Sequence, residues 1–84
     1  MFAILYISPM NKPRLMNVLR ERRKAAGGLT QQELAERAGV TRQSIISIEQ
    51  GKYRPSVELA LLLARALGCT VDELFHLSDD GDEP

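Results

Sequence analysis

Five stretches of this chain carry apolar residues at intervals of three and four, the spacing that lines one face of a helix. In the first, Leu15, Val18, Leu19 and the run from Arg22 to Ala26 recur at that spacing, with Arg20, Arg22, Arg23 and Lys24 on the remaining faces. A helix is therefore predicted to begin just after Pro13 and to stop at Gly27-Gly28. The second stretch opens with Thr30-Gln31-Gln32-Glu33, a capping box in which threonine and glutamate satisfy each other's backbone N–H groups. Leu34, Ala35 and Ala38 form its apolar side, the small Ala35 allowing close approach of the next helix. Gly39 stands where a β-carbon would oppose a left-handed turn, and Val40 plugs the corner. Thr41 caps a third helix whose Ile45 and Ile48 point inward, while Arg42, Gln43, Ser44 and Ser47 point out and Ile46 lies between the faces. Gly51 ends it, and Lys52-Tyr53-Arg54-Pro55 makes a basic, ring-containing loop. Ser56 opens a fourth helix over 57–67, apolar on most sides and so expected to be the most buried. Gly68 stops it. Thr70 and Glu73 repeat the capping box for a short fifth helix from Val71 to about His76, with Val71, Leu74 and Phe75 completing the core.

At 84 residues this is one domain, and 44% apolar with 26% charged residues fits an ordered globular class. The net charge is zero, yet it divides sharply. From Met10 to Ser56 there are ten Lys and Arg against four Asp and Glu; from Val57 to Pro84 there is one Arg against seven. A local excess of six positive charges is compatible with a polyanionic partner despite the neutral sum. Cys69 is the single cysteine and His76 the single histidine, too few for a disulfide or a metal site, so no metal or cofactor is expected. Cys69 reads as a packed thiol, His76 as a surface residue and Tyr53 as a packing ring. Ser44 and Ser47 have no adjacent base, and no catalytic set is visible.

Residues 1–9, MFAILYISP, hold an apolar run far shorter than the ~20 residues of a membrane span. No basic residue precedes it and no small-residue cleavage site follows, so it lacks the form of a secretory signal. Three readings stay open: a short β-strand pairing across a dimer or with the tail, a floppy arm, or a translated leader with Met10 as the natural start. Residues 78–84, SDDGDEP, are expected to be an acidic, mobile tail. The expected compartment is the cytoplasm, in association with the nucleoid.

Two helices joined by a tight glycine turn, the second with a polar outer face, suit insertion of that second helix into the major groove of DNA. The segment LTQQELAERAGVTRQSIISIEQGKYRPS, continued by ALGCTVDELF, resembles the Cro and phage-repressor helix-turn-helix regulators, also called xenobiotic-response-element-type. The resemblance runs over 15–77, with the helix-turn-helix at 30–49. It implies a compact, all-α, five-helix lambda-repressor-like domain, here with a short N-terminal β-strand as an open addition. It also implies roles for matching residues. Arg42 and Gln43 would read bases, with Thr41, Ser44 and Ser47 in support; Gln31, Gln50, Lys52 and Arg54 would hold phosphates; Arg23 and Glu49 would form an internal ion pair. Members usually carry one glycine before the leucine-threonine-glutamine segment, where this chain has Gly27 and Gly28. The implied function is that of a non-enzymatic transcriptional regulator, a repressor binding an inverted repeat of double-stranded DNA as a homodimer. The alternative is an antitoxin-like or adaptor module that binds a protein partner and DNA only secondarily. No membrane partner is implied.

Overall fold

In the structure, a computed structural model, residues 14–78 are described. The expectations for residues 1–9, and for the acidic tail past Ser78, lie outside the described residues. The element order is β1 (Arg14–Asn17), α1 (Leu19–Ala25), α2 (Gln31–Ala38), α3 (Arg42–Glu49), α4 (Val57–Leu67), α5 (Val71–Leu74) and β2 (Phe75–Ser78). Each helix from α2 onward starts where a hydroxyl residue caps it. Thr30 Oγ1 accepts from the Glu33 N–H at 3.0 Å while the Thr30 N–H donates to Glu33 Oε1 at 2.8 Å. Thr70 and Glu73 repeat the pair at 3.1 and 3.0 Å. Thr41 and Ser56 each accept one N–H at 3.1 Å. Such caps contribute ~1 kcal/mol each. The hydrogen bond from the Thr30 backbone holds the Glu33 carboxyl below its ordinary range, and that from the Thr70 backbone does the same for Glu73.

All five helices meet on one core. Leu19, Leu34, Ile45, Ile48, Leu63 and Leu74 are fully buried, so every helix sends at least one large side chain to the centre. Val40, Cys69 and Val71 pack against its margin.

Both ends of the helical array differ from the sequence expectation. The first helix begins at Leu19, not just after Pro13, and the fifth ends at Leu74, short of His76. The released residues pair instead as an antiparallel two-stranded sheet, Leu15 opposite Leu77 and Asn17 opposite Phe75. Backbone partners decide this. The Val18 N–H donates to the Leu74 carbonyl at 3.0 Å, and Asn17 Oδ1 takes the Leu19 N–H at 3.0 Å, which starts the helix there. Exposure along β1 alternates residue by residue, as it does in a half-buried strand.

Among the described residues α4 holds more buried residues than any other helix, yet it is not buried all round. Leu59, Ala60, Leu63 and Ala64 are buried, yet Val57 is 77% and Leu61 56% exposed. The helix is apolar nearly all round, and its main packing partners among the described residues are α2 and α5.

Candidate nucleic-acid interface

The geometry of α2 and α3 follows from three residues. Gly39 adopts φ 78°, ψ 31°, the left-handed conformation that turns the chain out of α2. Val40 then donates back to the Ala35 carbonyl at 2.9 Å. Ala35 is fully buried, its small side chain suiting the contact of α2 with α3. Ile45 and Ile48 pin the inner side of α3 to the core, and its first turn is left in solvent.

Arg42 and Gln43, the first two residues of α3, are exposed. The Gln43 amide donates to Ser47 Oγ at 3.4 Å, a long contact that leaves the amide able to turn outward. Thr41 is exposed and Ser44 half-buried; their hydroxyls lie 3.1 Å apart, and Thr41 also caps the helix. These two hydroxyls are thus partly committed to holding the turn. Ser47 and Ile46 are half-buried.

Behind this face sits a buried polar hub. Arg23 donates through Nε to Glu49 Oε2 at 2.8 Å and through one terminal nitrogen to Oε1 at 3.3 Å. Its other terminal nitrogen donates to the Leu29 carbonyl at 2.8 Å. Gln31 Nε2 donates to Glu49 Oε1 at 3.1 Å. The side chains of Arg23 and Glu49 are only 10% and 6% exposed. One carboxylate therefore ties together α1, the start of α2 and the end of α3, and sets the angle at which α3 is presented. The Gly27-Gly28 pair does not prevent this. Both glycines take positive φ, 81° and 75°, and the doubled turn lets the Leu29 N–H return to the Arg23 carbonyl at 3.2 Å.

In front of the hub lies an open cleft of about 520 Å³ between α1, α2 and α3, its walls including Arg20, Lys24, Gln31, Arg42 and Gln50. Among the described residues, ion pairs join only Arg22 with Glu73 and Arg23 with Glu49, so Arg20, Lys24 and Arg42 face the cleft uncompensated. Gln50 caps α3 and is exposed. Lys52 follows, its N–H donating to the Ser47 carbonyl at 2.9 Å, so the basic loop is fastened to the end of α3. Lys52 and Arg54 are exposed, and Tyr53, expected to pack, is 47% exposed. Gln31 is half-buried, with its amide engaged by Glu49.

Three residues of this surface escape the sequence reading of the site. Arg20 and Lys24 share a helix face four residues apart; the sequence lets this cationic face lie near a phosphate but does not single out either residue as a contact. Asn17 donates through Nδ2 to the Ile48 carbonyl at 3.0 Å, fixing β1 to the end of α3. An asparagine two residues before a helix is a cap signal; its reach to α3 is not.

A protruding helix on a glycine turn, flanked by cations, defines a helix-turn-helix protein. A helix-turn-helix family model matches residues 19–74. The chain is similar to an uncharacterized HTH-type transcriptional regulator of Methanothermobacter thermautotrophicus, 53% identical over 68 residues, covering 80% of this chain and 97% of that one. It is likewise similar to one of Methanocaldococcus jannaschii, 46% identical over 57 residues, 68% and 86% of the two chains. Among solved structures it is similar to the restriction-modification controller protein C.AhdI from Aeromonas hydrophila, with a TM-score of 0.62, 38% identity, and 66% and 82% of the chains covered. The clp gene regulator ClgR from Corynebacterium glutamicum matches with a TM-score of 0.62 and 34% identity over 66% of this chain. This chain spans only 57% of that regulator's length. The protein belongs to the helix-turn-helix family of transcriptional regulators, of the Cro and phage-repressor type, and its five helices have the lambda-repressor-like arrangement.

Proposed function

We propose that this protein is a sequence-specific DNA-binding regulator that places α3 in the major groove and acts without catalysis. The observation that carries this reading is the exposed first turn of α3, where Arg42 and Gln43 stand beside a cleft rimmed with cations that make no ion pair among the described residues. An arginine fork matches guanine O6 and N7, and a glutamine amide both donates to and accepts from adenine, each pair worth about 1–3 kcal/mol of discrimination. Thr41, Ser44 and Ser47 support these readers. Gln31, Gln50, Lys52 and Arg54 hold phosphates, setting register and salt dependence without reading sequence. One module covers half a site. A two-fold homodimer covers an inverted repeat with centres about 34–36 Å apart, and occlusion of a promoter makes it a repressor. Exposure of Val57 and Leu61 on α4 supports self-association.

The same α4 surface favours a second reading, in which the chain is an adaptor or antitoxin-like module binding another protein. Selection of bound duplexes from a random pool separates the two. A regulator enriches an inverted repeat with half-sites one helical turn apart. An adaptor enriches nothing and binds random duplex as tightly as any selected sequence, a result that overturns the first reading.

A further inference from the structure

The cleft at α3 does not end at Gln50. A second depression of about 300 Å³ shares Glu49 and Gln50 with it and continues along Gly51, Asn17 and Arg14. A third, about 100 Å³, shares Gly51 and Arg14 with the second and reaches Tyr53, Arg54 and Pro55. Together they make one trough, with Arg20, Lys24 and Arg42 at one end and Arg14 and Arg54 at the other. Glu49, the carboxylate on its wall, is neutralised by Arg23. Arg14 is exposed and makes no ion pair among the described residues. Its place is fixed relative to α3, because β1 is tethered by the Asn17–Ile48 hydrogen bond and by Leu15 packed on the core. β1 also lies before the family match, which starts at residue 19.

We propose that Arg14 is a DNA-backbone contact, and that β1 extends the phosphate track of α3 by carrying this charge to the loop of Lys52 and Arg54. The inference rests on the DNA-binding reading above and adds a contact that the matched segment does not supply. A guanidinium held at the rim of a cationic trough, with no acidic partner among the described residues, favours a phosphate oxygen. Asp79, Asp80, Asp82 and Glu83 follow Ser78 in the chain, so the test uses the full chain, where their charge acts on Arg14 as it does in the protein.

The test is the salt dependence of duplex affinity for the wild type, Arg14→Gln and Arg14→Lys, on a selected site and on random duplex. For each bound protomer, Arg14→Gln is expected to make the slope of log K against log salt shallower by about one, and to weaken both duplexes about eightfold at ~0.1 M salt. Arg14→Lys is expected to restore the slope. A wild-type slope and affinity in Arg14→Gln overturns the proposal and leaves the DNA-binding reading standing. So does a loss confined to the selected site, which marks a base contact, or an equal loss in both variants with a lowered melting temperature, which marks a structural role. A wild type that binds no duplex in a salt-dependent way overturns the proposal together with the reading it rests on.

Discussion

Replacing Glu49 by alanine leaves the Arg23 guanidinium in a site where it is 10% exposed, with the Leu29 carbonyl as its remaining acceptor. Removing one partner of a buried, hydrogen-bonded pair costs about 3–5 kcal/mol, because the surviving charge stays desolvated. An 84-residue domain has a total stability of roughly 4–12 kcal/mol at ordinary values per residue. Glu49→Ala therefore removes a large share of it, and lowers the melting temperature by roughly 12–40 °C for a domain of this size. The assay is urea and thermal unfolding followed by circular dichroism, run as a cycle with Arg23→Met and the double variant Arg23→Met/Glu49→Leu. The double variant has no buried charge, and its main residual loss is the Leu29 carbonyl's donor, about 1–3 kcal/mol. It is expected to be more stable than either single variant. If Glu49→Ala stays within about 1 kcal/mol of wild type, the pair behaves as a solvent-screened surface bridge, and the hub described here does not set the angle of α3.

Gly39→Ala meets no neighbour within 4 Å, so its cost is conformational: about 1–2 kcal/mol for an L-residue at φ 78°, read as a lower denaturation midpoint, with Gly39→Asn losing less. Leu61→Glu puts a charge on the exposed face of α4, and sedimentation is expected to show the proposed dimer weakened at unchanged helicity; self-association equal to that of the wild type excludes this face as the interface. The folded-state pKa values of Glu33 and Glu73 lie below the ordinary 4.5, so their caps contribute stability above that pH and lose it as pH falls through the folded values. Glu33→Gln keeps the cap but cannot titrate, and a plot of its melting temperature against pH below ~4.5 is expected to fall less steeply than that of the wild type.

What was legible in the sequence is what is local. Thr30, Thr41, Ser56 and Thr70 each bond to an N–H three residues on, and Gly39, Gly51 and Gly68 each close a helix at positive φ, so boundaries could be read within one turn of chain. The strand at Arg14–Asn17 was not legible, because Leu15, Val18 and Leu19 satisfy helical spacing while the competing partner is Phe75–Ser78 at the far end of the fold. Nor was the exposure of Val57 and Leu61, since apolar content does not say which side of a helix has neighbours. At the candidate site, the outward placement of Arg42 and Gln43 follows from the inward Ile45 and Ile48. The Arg23–Glu49 pair spans 26 positions and came from family resemblance alone, not from spacing. Arg14 lies before the matched segment, and only the tertiary placement of β1 brings it beside Arg54.

The role of Arg42 decides the account. Titration of Arg42→Ala against the selected inverted repeat and against random duplex, at the same salt, should lower affinity for the selected site by about 1–3 kcal/mol per half-site and narrow its advantage over random DNA. An equal loss on both duplexes, with a shallower salt slope, would make Arg42 one more phosphate contact and contradict the claim that the first turn of α3 reads bases.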